Sequence, residues 1–137
     1  MNMRILLLPA ALLTFPQVRA QRILTTAEAA AIAGPGPVHV TALHADSLCS
    51  SYLIRVDTEV PLHLHRAHTE HVMVLEGEGL MTLGDTVRSI RAGDIVIIPR
   101  NTPHAVKVQG DVPLRVISVQ APRFDGTDRV PVTTTNR

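Results

Sequence analysis

Residues 63–77 read "HLHRAHTEHVMVLEG", and four of the chain's seven histidines fall within the first nine of these positions. Chance does not produce that density of a rare residue. Extended backbone turns successive side chains to opposite faces, so His63 and His65 present two imidazoles to one point while Leu64 faces away. Two neutral imidazoles on one face make half of a metal site. Glu70 has the other parity, and a bend over Arg66 to Thr69 is needed to bring its carboxylate to the same point. The run Val72 to Leu75 that follows is apolar at every position, as in a strand covered on both faces.

A second stretch, "GDIVIIPRNTPH" at 93–104, repeats this layout: an all-apolar run from Ile95 to Ile98, a turn stiffened by Pro99 and Pro103, then His104 at the start of a later strand. His104 is the fourth candidate ligand. Three imidazoles and one carboxylate suit one divalent transition metal, whether iron, manganese, nickel, copper or zinc. Four protein ligands on an octahedral ion leave two positions open, and open positions separate a working metal from a structural one.

Around these stretches the chain is built of short apolar runs. "VHVTALHA" and "SYLIRVDTEV" are rich in β-branched residues and are split by a polar turn at Asp46 and Ser47. Beyond Gly77 the runs are punctuated by "GD" at 84 and 93, by "PRNTP" and by "QGD". Turns this closely spaced predict an all-β sandwich or barrel of hairpins.

The two stretches resemble the paired motifs of the cupin family. The first, H-x-H-x4-E-x6-G, is matched at His63, His65, Glu70 and Gly77. The second, G-x5-P-x-G-x2-H, is matched at Gly93, Pro99 and His104, with Asn101 where the family usually has glycine. Asparagine tolerates left-handed backbone better than most residues, which makes this a mild departure. Where the second motif often ends in asparagine, this chain has Val108. The resemblance implies an antiparallel β-barrel, a jelly roll or double-stranded β-helix of six to eight strands spanning about Val38 to Gln120, with His63, His65, Glu70 and His104 holding the metal. It also implies a homodimer.

The flanks read differently. "MNMRILLLPAALLTFPQVRA" has Arg4, an apolar run from Ile5 to Leu13, and Val18 and Ala20 before Gln21, the layout of a secretory signal peptide cleaved after Ala20. Pro9 and the break from Thr14 to Pro16 leave the run short of the about 20 residues of a spanning helix, so the mature protein is expected to be periplasmic or secreted, with no membrane anchor. Next come a helix or arm at 21–37, capped by Thr25 or Thr26 and stopped by "GPGP", the barrel at 38–122, and a polar tail at 123–137.

Composition narrows the partners. The 13 basic and 12 acidic side chains give +1; loss of Arg4 and Arg19 with the signal peptide leaves 11 against 12, or −1. That balance provides no basic footprint for nucleic acid, and with Tyr52 and Phe124 the only mature aromatics there is no stacking platform for single strands. A small-molecule substrate or ligand is the expected partner. Cys49 is the only cysteine, which rules out an internal disulfide and reads as a small buried apolar residue.

The remaining polar residues carry weaker signals. His68 sits on the bend between ligands, at the surface, behind a ligand, or beside the metal as an acid or base; His68 and Glu70 are the candidates to move protons. His71 should face away from Glu70, His39 and His44 read as structural, and Tyr52 as a core or interface residue. Arg55, Arg66 and Arg100 are candidates to hold a substrate carboxylate. The functional expectation is a dioxygenase-like oxidoreductase acting on a small oxygen-rich molecule. The alternatives are a non-redox isomerase, decarboxylase or lyase, and a non-enzymatic metal- or ligand-binding module.

Overall fold

The computed structural model describes residues 23–25, 27–28 and 36–133, so the expected signal peptide and most of the N-terminal arm lie outside the described residues. Of the two candidate caps, Thr26 lies outside the described residues and Thr25 is engaged. Its N–H and hydroxyl both donate to Glu28 Oε2 at 2.8 Å, and the Glu28 N–H donates back to Thr25 Oγ1 at 3.2 Å, a capping box leading into helical residues 27 and 28. Among the described residues no helix is long and apolar enough to cross a membrane.

From Val38 to Thr133 the chain is strand, turn and loop. The elements are β1 (Val38–Ala45), β2 (Ser50–Val56), β3 (Glu59–Leu64), β4 (Thr69–Glu76), β5 (Glu78–Leu83), β6 (Thr86–Arg91), β7 (Ile95–Ile98), β8 (His104–Gln109), β9 (Leu114–Ala121) and β10 (Val130–Pro131). They form two five-stranded antiparallel sheets, β1-β2-β9-β4-β7 and β10-β3-β8-β5-β6. The expected bend at Arg66 and Ala67 is the point where the chain leaves the second sheet at β3 and enters the first at β4.

Residues paired across antiparallel strands point to the same face, so register gives the rows of the first sheet's inner face. At one end Val38, Val56 and Leu114 align; next come Val40, Ile54, Val116 and Val74. A third row, Ala42, Tyr52, Ser118, Val72 and Val96, is mixed, and the fourth, Ala45, Ser50, Gln120, Glu70 and Ile98, carries most of the polar groups. The first two rows meet Met81 and Ile90 of the second sheet in the core. Gly77 turns β4 into β5 with φ 79°, and a Cβ there would lie 2.6 Å from the Pro113 carbonyl oxygen, so only glycine fits.

The all-apolar runs predict cover on both faces of β4 and β7, the second from the N-terminal arm or a partner subunit. Among the described residues the second sheet covers the inner face, and Met73, Ile95 and Ile97 are 46%, 63% and 55% exposed on the outer face, beside Val119. Residues after 122 read as a polar tail, but Val130 pairs with Leu64, Pro131 pairs with His63, and the Val132 N–H reaches Leu62 O at 3.1 Å. Cys49 is half-buried in the turn between β1 and β2.

Candidate metal centre

The two sheets contribute unequal shares of the site. His63 and His104 are direct partners across β3 and β8, so their side chains leave the same face and their ring centroids lie 4.2 Å apart. His65, one residue beyond β3, keeps the parity of His63. One ring nitrogen from each of His63, His65 and His104 falls within 4.8 Å of the others. From the opposite sheet Glu70 brings Oε2 to 3.4 Å from His65 Nε2 and 3.5 Å from His104 Nε2. All four side chains are buried. The structure thus brings together the four residues selected from the sequence.

Each imidazole is held from behind. His63 Nδ1 meets the Pro61 carbonyl at 2.8 Å, His104 Nδ1 meets that of Thr102 at 3.0 Å, and His65 Nδ1 meets that of Asp128. A carbonyl accepts only, so the proton sits on Nδ1 and the Nε2 lone pair is left for a metal. Nε2 of His104 is buried with no hydrogen-bond partner, as an inward-facing ligand atom would be. The residues present fit a divalent transition metal on all these counts.

Electrostatics agree with this arrangement. Burial, reinforced by repulsion from His104, pushes His63 down to about 4, so it is neutral at physiological pH. Burial acts in the same sense on His65 but is outweighed by Glu70 and the Asp128 carbonyl, and His65 ends raised. Burial pushes Glu70 up, yet the imidazoles of His104 and His65 and the Ser118 hydroxyl outweigh it and hold the carboxyl well below the usual carboxylate range. Ser118 donates to Glu70 Oε1 at 2.5 Å, and Gln120 Nε2 bridges Glu70 Oε1 at 3.3 Å and Ser118 Oγ at 3.1 Å. These two residues hold the carboxylate from the first sheet.

A further anchor is Asp128. Its carbonyl takes the His65 ring N–H, and its carboxylate accepts the N–H groups of Arg66 and Ala67 at 2.8 Å each, holding the bend between the sheets. His68 Nδ1 lies 2.9 Å from the same carboxylate. His68 is neither at the surface nor on the cavity wall. It is 1% exposed, tilted against His65 at 4.1 Å between centroids, and burial and His65 push its pKa down. Asn101 adopts φ 61° as its tolerance of left-handed backbone predicts, and its N–H donates to the His65 carbonyl at 2.6 Å, tying the two motifs together.

With all four ligands inside it, residues 52–120 match the family model described as "Cupin domain", half of the chain. The protein belongs to the cupin family. Among proteins similar to this cupin, an uncharacterised protein of Methanocaldococcus jannaschii is 34% identical over 76 residues, which are 56% of this chain and 61% of that one. A mannose-1-phosphate guanylyltransferase of Salmonella typhimurium is 33% identical over 87 residues, 58% of this chain and 18% of the enzyme. The cupin therefore spans less than two thirds of the length of these relatives. A Klebsiella pneumoniae protein with a double-stranded β-helix domain superimposes with TM-score 0.66 at 22% identity, covering 79% of this chain and 93% of the other, a likeness of fold.

The site opens on a cavity of about 170 Å³ between the sheets. Its walls are mainly apolar, with Val40, Ile54, Val72, Met81, Val106 and Val116 among them. Besides the candidate ligands, the polar lining is Tyr52, Gln120 and Arg129. Tyr52 is half-buried and edge-on to Phe124 at 6.4 Å. None of the arginines chosen from the sequence lines the cavity: Arg55 forms a double hydrogen bond with Asp57 at 2.8 Å, and Arg66 and Arg100 are exposed. His71 faces outward as expected, and His44 lies 3.5 Å from Asp46 at the surface.

Proposed function

We propose that this cupin is an exported, metal-dependent oxidoreductase of the dioxygenase type that acts on a small oxygen-rich molecule in the cavity between its sheets. The observation that carries the reading is the convergence of His63, His65, His104 and Glu70 at one end of an apolar cavity, each imidazole held by a backbone carbonyl. A bound divalent metal supplies redox and Lewis-acid chemistry at the positions these four side chains leave open. The chain's own contribution is to align the four ligands and to keep bulk water from the ligand with apolar walls. Glu70, ionised at rest, is the group that accepts a proton, and His68 acts by fixing His65.

One observation favours a second reading. Tyr52 is the only lining side chain other than the metal ligands that could serve as acid or base, and so sparse a wall suits a module that binds a metal or small ligand without turnover. The mannose-1-phosphate guanylyltransferase activity in the name of the Salmonella relative belongs to a protein matched over 18% of its length and gives this chain a third, non-redox alternative. The reading includes export, supported by the layout of residues 1–20, and a homodimer, supported by the exposed apolar side chains Met73, Ile95 and Ile97.

The test is elemental analysis of mature protein from its native compartment, with oxygen uptake followed on a panel of enols and catechols. Near-stoichiometric iron, copper, nickel or manganese together with uptake is the expected result. Zinc without uptake would move the assignment to a non-redox enzyme or binding module, and empty sites would remove the metal altogether.

A further inference from the structure

Among the described residues the cavity has one cation on its wall. Arg129 is the only lysine or arginine among the described lining residues; its side chain is partly exposed to solvent, while its backbone stands where the fold leaves little freedom. The residue before it gives its carbonyl to His65, the residue after it pairs with Leu64, and its own N–H is bonded to Thr127 O at 2.9 Å. The backbone of Arg129 is thus pinned beside β3, next to two of the candidate ligands. Among the described residues no carboxylate lies within ion-pairing distance of its guanidinium. The neighbouring Asp128 carboxylate is occupied by the N–H groups of Arg66 and Ala67 and by His68.

Charge and shape then select a ligand class. A divalent ion held by three neutral imidazoles and one carboxylate keeps net positive charge, and Arg129 adds a second positive charge at the same cavity. The remaining wall is mainly valine, isoleucine, leucine and methionine, which reward an apolar body and offer a sugar's many hydroxyls almost no partners. At about 170 Å³ the space is smaller than the roughly 300 to 1,000 Å³ of drug-sized sites, so the body is short.

We propose that Arg129 is the anion anchor of this cavity and that its ligand is a small carboxylate with a short apolar body. The proposal rests on the reading of the cavity as the ligand-facing side of a metal centre, narrows its oxygen-rich molecule to one whose oxygens are confined to a carboxylate end, and names a residue outside both motifs. The planar guanidinium accepts a carboxylate through two parallel hydrogen bonds, whereas the neutral amide of the same shape keeps at most one good partner.

The test compares pentanoate with pentanamide by calorimetric titration on the full chain, both metal-loaded and metal-stripped, with metal content measured on each sample. Wild type should bind pentanoate at least about tenfold more tightly than pentanamide, from the strength of charge-assisted hydrogen bonds. Arg129→Gln should remove that preference while leaving pentanamide binding and metal content unchanged, and Arg129→Lys should restore part of it. Thermal melts of both variants separate a lost anchor from a lost fold. A preference that persists in Arg129→Gln but vanishes on metal removal would assign the carboxylate to the metal and overturn the role of Arg129. Equal binding of the two compounds by wild type, or no binding of either, would overturn the ligand class. Wild type without metal that still prefers pentanoate in an Arg129-dependent way supports the anchor and counts against the metal reading alone.

Discussion

The two ends of the inner face of the first sheet obey one folding rule and serve different purposes. At the Leu114 end, every inward position is apolar and all but the exposed Val40 close on the core; at the Glu70 end, the same alternation turns Ser118, Gln120 and Glu70 inward toward the three imidazoles. Stability is concentrated in the first and alignment of chemistry in the second. Most polar groups at the Glu70 end satisfy one another, with Ser118 and Gln120 both bonded to Glu70, while His104 Nε2 and Gln120 Oε1 have no hydrogen-bond partner among the described residues.

The sharpest way to break this division is Leu114→Ala. Leu114 is 1% exposed, and its truncation should cost about 2 to 5 kcal/mol in denaturant unfolding. Metal stoichiometry in the fraction that remains folded should not change; a parallel loss of metal would show that the ends are not separable. Ser118→Ala attacks the other end. Removing the donor to Glu70 should weaken metal binding about 10- to 100-fold in competition with a chelator while moving the apo-protein's stability far less.

Asp128 gives the comparison a pH signature. Burial pushes its carboxyl up, but the N–H groups of Arg66 and Ala67 and the imidazoles of His68 and His65 outweigh this and leave it below the usual range. A carboxyl depressed by folding contributes stability that is present above its unfolded value and lost as pH falls through the folded one. Asp128→Asn should therefore cost about 1 kcal/mol at neutral pH. The difference from wild type should close as pH drops below about 4, and a gap constant across pH would mean that Asp128 acts through shape alone. The smallest expected effect is that of Asn101→Gly, which relieves left-handed strain but loosens the unfolded chain, a net change under about 1 kcal/mol by thermal melting.

Much of this was legible before folding. Histidine spacing and the two motifs located all four candidate ligands, and β-branched runs between turn residues gave the all-β class. Ser118 and Gln120 were readable in principle, because the parity that buries Leu114 and Val116 in "LRVISVQ" also turns them inward. Asp128 was not. It lies 63 residues from His65, in a polar stretch with no period, and it acts partly through a main-chain carbonyl that every residue type possesses. The outer face of β4 and β7 was legible only in part for a related reason: an apolar run reports what a strand tolerates on both sides, and what covers each side is set by other segments or chains.

The hydrogen bond from His65 to the Asp128 carbonyl also has a bearing on biosynthesis. A ribosome delivers His63, His65, Glu70 and His104 well before residue 128 emerges, so a nascent chain holds every ligand while the ring of His65 still lacks the acceptor that fixes its tautomer. The centre is finished last, by a segment that no ligand-spacing motif includes. A chain cut between 122 and 128 should keep the ligands and β9 and yet capture metal poorly.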